Sequence, residues 1–155
     1  MNFRISRSVK NYFDNIIDGR NFLQFDVYYP CALIGMAMVQ IDDKASDFMD
    51  MTDEYPLPYR EYKAHIAGLL VATEAKRRNI EATSEELEKA MLEYLAENET
   101  LLSDRGVNIL NAYSYKGAML YMGEAVDAPR NREDFLLLVD QTIKKHEEET
   151  KKRYA

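Results

Sequence analysis

The chain has 155 residues, 46% of them hydrophobic, one cysteine (Cys31) and a formal net charge of −7. That length fits one helical domain over residues 1–155, large enough to bury a core without covalent staples. A single cysteine excludes an internal disulfide and suits a reducing, cytoplasmic setting; the longest apolar run, Cys31 to Val39, falls short of the roughly 20 residues that cross a bilayer, and no basic segment leading into an apolar run marks a signal peptide.

Residues 2–6 alternate polar and apolar, which predicts a short extended arm. From Ser8 the period changes: Val9, Tyr12, Phe13, Ile16 and Ile17 lie on one helical stripe, with Gly19 as its left-handed stop. Asp26 is the expected cap of a second helix, with Pro30 near its first turn. That helix is apolar nearly all round through Val39, and Gly35 within it predicts close helix packing. Residues 42–58 read as an acidic connector ending in Pro56-Leu57-Pro58. Pro58 is expected to open a third helix that turns Tyr62, Ile66, Leu69, Leu70 and Thr73 inward and stops at Asn79.

Thr83-Ser84-Glu85-Glu86 matches a capping box. It is followed by the stripe Leu87, Ala90, Met91, Tyr94 and Leu95, with acids opposite. A fifth helix starts near Ser103 or continues through it, with Ile109, Leu110, Tyr113, Gly117, Leu120 and Tyr121 in step. Pro129 and Asn131 introduce a last helix that buries Phe135, Leu138, Val139 and Ile143 and ends in a charged stretch, 144–155. Strand signals are nearly absent. The expected class is all-α: a compact bundle of about six helices with a short extended N-terminal arm.

Charge alternates in blocks. Residues 63–80 hold Lys63, Lys76, Arg77 and Arg78 against Glu74, a net of +3, whereas residues 81–100 hold seven acids against Lys89, a net of −6. Such blocks can still leave one basic face.

Residues that carry chemistry are few. His65 has Glu61 one turn before it, an arrangement more typical of a surface ion pair than of a catalytic base. Cys31 lies in an apolar helix with no cationic neighbour in sequence. Asp42, Asp43, Asp47, Asp50 and Asp53 lack the glycine and the alternate spacing of a calcium loop. No phosphate-binding glycine loop and no zinc spacing occur. The chain therefore reads as a non-enzyme without metal or cofactor. Tyr28, Tyr29, Tyr113, Tyr115 and Tyr121 suit either subunit contacts or half-buried core positions.

Two arrangements stand out. The arm Phe3-Arg4-Ile5-Ser6-Arg7-Ser8, leading into a helix with Lys10, is similar to the DNA-reading strands of ribbon-helix-helix regulators. In Leu101-Leu102-Ser103-Asp104-Arg105-Gly106-Val107, Gly106 admits a close neighbour, and Arg105 can reach a phosphate or a carboxylate.

In their order along the chain, three segments resemble the DndE family, the small helical subunit of DNA phosphorothioation systems. They are residues 3–16 (FRISRSVKNYFDNI), 28–38 (YYPCALIGMAM) and 102–110 (LSDRGVNIL). The chain departs from that family at Arg20 to Asp26, where a Thr-Gly-Leu-Thr-Pro turn is missing, and at Leu102, which replaces a histidine. The resemblance implies a homo-oligomeric, non-enzymatic subunit of a DNA-modification or anti-phage defence complex. Such a subunit would bind the backbone of duplex or nicked DNA. Arg4 and Arg105 match the family best; with Arg7, Lys10, Lys76, Arg77 and Arg78 they form the expected nucleic-acid-binding set. The competing expectation is a scaffold subunit that holds an ATPase or nuclease partner without touching DNA.

Overall fold

Two long apolar helices, predicted by their uninterrupted patterning, form the centre of the computed structural model, which describes residues 1–81 and 84–154 (the side chains of 150, 153 and 154 excepted). They are α2 (Gln24–Met38) and α5 (Asp104–Glu124), and they make the most extensive contact in the molecule. Glycines set their separation. A Cβ at Gly35 would fall on the Tyr113 carbonyl, and one at Gly117 on the Cys31 carbonyl. Residue numbers rise along one helix as they fall along the other, so the pair is antiparallel.

The other elements are, in chain order, β1 (Phe3–Ser6), α1 (Arg7–Tyr12), β2 (Phe48–Thr52), a 3-10 turn (Leu57–Tyr62), α3 (Lys63–Arg77), α4 (Glu85–Tyr94) and α6 (Arg132–Tyr154). Six α-helices agree with the sequence pattern, but the class is mainly rather than purely α. The N-terminal arm pairs antiparallel with β2, a strand within the segment read as an acidic connector, with Arg4 opposite Asp50 and Ile5 opposite Met49. The acids that hid β2 are in use. Asp50 binds the Arg4 guanidinium across the strands at 2.9 Å. The Asp47 carboxylate accepts from Ser6 Oγ at 3.0 Å and from the Ser8 amide at 3.3 Å, capping α1 from a distance in sequence. Hydrogen bonds, from the Ser6 hydroxyl first, hold the Asp47 pKa below its ordinary value. Because β1 pairs within its own chain and buries Phe3 and Ile5, it does not present the exposed ribbon of a ribbon-helix-helix regulator.

Other boundaries moved for local reasons. The first helix ends at Tyr12 although Phe13 and Ile16 remain buried as predicted. Asn15 donates instead to the Pro129 carbonyl at 2.7 Å, and Asp18 accepts from the amides of Arg20, Asn21 and Phe22 ahead of the next element. Gly19 is left-handed, with φ of 76°. The second helix begins two residues before Asp26, whose carboxylate caps it by accepting from the Leu23 amide at 2.7 Å, so that Pro30 lies inside the helix. Pro58 does not open α3, which starts at Lys63; it is the second residue of the preceding 3-10 turn, and Tyr62 is 52% exposed rather than inward. Ser84 caps α4 through the Leu87 amide; Thr83 lies outside the described residues. Ser103 caps α5 by accepting from the Gly106 amide at 3.0 Å, and Asn131 caps α6 through the Asp134 amide.

The core has two halves on either side of the α2–α5 pair. Phe3, Phe25, Tyr28, Tyr55, Leu70 and Tyr113 belong to one, and Val9, Phe13, Ile34, Tyr121 and Phe135 to the other. Tyr28, Tyr113 and Tyr121 are thus core rings, the second of the two roles their sequence positions allowed. Among the described residues, no helix is long and apolar enough to cross a membrane.

Gly117→Ala is expected to cost about 3 kcal/mol, because its methyl meets backbone that cannot move aside. Gly68→Ala, where a Cβ has open space, should instead stabilise by up to about 1 kcal/mol. Urea unfolding of the two variants checks both signs.

Candidate functional site

The apolar stripe of α3 contains one acid. Glu74 follows Leu70 by one turn and is fully buried. Its carboxylate receives Arg77 Nε at 2.6 Å and Nη2 at 2.8 Å, the Tyr94 hydroxyl at 2.9 Å and the Tyr113 hydroxyl at 2.6 Å. Four donors fill the acceptor capacity of a carboxylate. Burial pushes the Glu74 pKa up, but the hydrogen bonds from Arg77, Tyr113 and Tyr94 outweigh it and hold the group below its ordinary value of 4.5. Burial raises Tyr94 and Tyr113, and their bonds to Glu74 raise them further. The cluster binds α3, α4 and α5 together and offers no free lone pair to a substrate.

The same neighbourhood absorbs most of the predicted cationic set. Arg78 donates to Glu93 at 2.9 Å and to the Tyr94 hydroxyl at 3.0 Å, and Arg105 reaches the other Glu93 oxygen at 3.6 Å. With Arg77 on Glu74 and Arg4 on Asp50, four of the seven residues are each held by an acid. Arg7, Lys10 and Lys76 have no ion pair within 4.0 Å among the described residues. Gly106 performs its expected role: a Cβ there would meet the Tyr94 carbonyl, and Ser103 bonds back to Glu93 and Tyr94. Arg105 therefore meets a carboxylate of its own chain.

What the sequence pattern concealed is an opening. The α4 stripe expected to pack inward is only half covered. Ala90 and Tyr94 are buried, but Met91 is 42% exposed and Leu87 and Leu95 are partly open. With Gly68, Ala72 and Ala75 of α3, these side chains line an apolar groove of about 720 Å³, with Lys76 at its edge. A second groove of about 640 Å³ lies across α3, lined by Leu33 and Met36 of α2, Leu69 and Thr73 of α3, and Ile143 of α6, and it also reaches Lys76. The signal in the sequence was the row of small residues Ala64, Gly68 and Ala72, which leaves that side of α3 flat.

The remaining candidates are scattered. His65 and Glu61 are exposed, and Cys31 is fully buried, where desolvation pushes its thiol up. Among the described residues, no three His, Cys, Asp or Glu side chains converge as a metal set. Comparison with protein-family models, with curated proteins and with solved structures finds no match to this chain.

Glu74 should make stability acid-sensitive. Its pKa is lower in the folded than in the unfolded chain, so its stabilisation is fully present above 4.5 and is lost as pH falls through the depressed folded value. Glu74→Gln is expected to cost about 3 kcal/mol at neutral pH by stranding Arg77. It should also flatten the loss of stability below pH 4.5 when denaturation midpoints are compared with the parent chain.

Proposed function

We propose that the chain is a non-enzymatic interaction subunit that receives an apolar helix along α3, in the setting of a DNA-modification or anti-phage defence assembly. The observation that carries this reading is the open α3–α4 groove, where Met91 and Leu87 of an otherwise core-forming stripe are left uncovered. Uncovered apolar grooves of this kind accept amphipathic helices through side chains spaced three and four residues apart. The assembly is suggested by the likeness of residues 3–16, 28–38 and 102–110 to the DndE family. An ATPase or nuclease of such a system is the partner class this reading expects.

A direct DNA role has one observation in its favour. Arg7 and Lys10 stand at i and i+3 on α1 without an ion partner among the described residues, and Lys76 is similarly open. Phosphate contacts need cations of this kind. The four arginines paired with acids would have to give up those partners first.

Two measurements separate the readings. A photo-crosslinking residue at Met91 should give a defined protein adduct in cells that make the chain, and one at exposed Arg20 should not. Titration with nicked and intact duplex should show no binding at about 50 mM salt. Duplex binding that is lost in Arg7→Ala/Lys10→Ala and falls steeply with salt would transfer the function to DNA.

A further inference from the structure

The groove also indicates what fills it. We infer that its occupant is a second copy of this chain: two α3–α4 hairpins close side by side about a two-fold axis running along the helices, and each copy places Leu92 in the groove of the other. This rests on the interaction reading and changes the occupant it expects: the α3–α4 groove is taken by the second copy, in place of an ATPase or nuclease helix.

The first argument is shape. Leu92 is 82% exposed and lies one residue beyond Met91, on the side of α4 that turns away from its own core. The small side chains Gly68 and Ala72 form a shallow seat on α3, where a Cβ at Gly68 would have open space. Projection and seat therefore occur on one face of one hairpin. An isologous contact requires such a face, because the same patch must act as both partners.

The second argument is charge. A cation at the groove and an acid beside it lie at the same end of the hairpin. Lys76 on α3 and Leu87 on α4 both line the groove, and Glu88 follows Leu87. Lys76 and Glu88 are both exposed, and neither has an ion pair within 4.0 Å among the described residues. A two-fold axis along the helices sets α3 of one copy against α4 of the other at equal height. Lys76 then faces Glu88 of the second copy, and the contact occurs twice. Of the other acids on the hairpin, Glu74 holds Arg77 and Glu93 holds Arg78 and Arg105, whereas Glu85 and Glu86, in the first turn of α4, add to the negative charge at the end that meets Lys76.

The third argument is the apolar lining itself. Val71, Ala75, Met91 and Leu95 leave a floor without charge. Closing two hairpins over it makes a four-helix bundle, in which such positions form the interior.

Sedimentation equilibrium of the full chain tests the proposal. The parent chain is expected at twice its 18.0 kDa. Lys76→Glu and Glu88→Lys should each raise the dimer dissociation constant by about tenfold, since each reverses one partner in both contacts. An equimolar mixture of those two variants should restore parental affinity, because both contacts in the mixed dimer are again complementary. Leu92→Glu should be monomeric with unchanged helical circular dichroism. A parent chain that stays at 18.0 kDa at every concentration overturns the proposal. So does a dimer indifferent to the charge reversals and their mixture. If the chain is monomeric but still yields a heterologous adduct at Met91, only the second copy fails as occupant; if it is monomeric without any adduct, the interaction reading fails with it.

Discussion

One buried carboxylate determines how the α3–α4 hairpin sits on the rest of the molecule. An ion taken out of water loses several kcal/mol of solvation unless its surroundings replace the lost hydrogen bonds. Glu74 obtains those bonds from three helices: Arg77 beside it on α3, Tyr94 on α4 and Tyr113 on α5. Arg78 extends the chain by donating to the Tyr94 hydroxyl. An apolar contact tolerates sliding, but four donors converging on two oxygens do not. The cluster holds one side of the hairpin against α5 and leaves the opposite side facing outward. The groove is thus the complement of the Glu74 site.

The charge distribution has a related explanation. Basic and acidic blocks that alternate along the sequence meet again in space, as when Arg78 and Arg105, far apart in the chain, share Glu93. The cationic stretch 76–78 is divided by helical geometry. Arg77 turns inward to Glu74, Arg78 crosses to α4, and Lys76 remains at the rim of the grooves. Counting charges along the chain treats these three residues as one patch, but 100° of rotation per residue gives each a different environment.

How much was legible depended on whether the signal was local. The apolar periods of α2, α5 and α6, the start of α6 at Asn131, and the close approaches at Gly35 and Gly106 were visible, because each follows from spacing within a few residues. The capping-box pattern puts the start of α4 one residue early, at Thr83, and the spacing leaves open whether α5 begins at Ser103. The strand β2 was not visible. It exists because residues 48–52 find β1 more than forty residues away, where Asp50 of the strand satisfies Arg4 and Asp47 just before it satisfies Ser6 and Ser8. The groove was hidden for a different reason. The pattern of α4 specifies which residues are apolar, but whether another element covers them is decided by the whole fold. Glu74 could have been suspected as an acid placed on the inward stripe of α3, three residues before an arginine, but nothing in the sequence names Tyr94 and Tyr113 as its partners.

The close seating of α2 against α5 has a mechanical consequence. Gly35 and Gly117 each sit against a facing carbonyl of the other helix. A slip by one residue would bring Ile34 or Met36, or Lys116 or Ala118, to those points and drive a side chain into main chain. The pair is therefore ratcheted and cannot creep along its axis. Any rearrangement that accompanies docking has to be carried by elements outside this spindle.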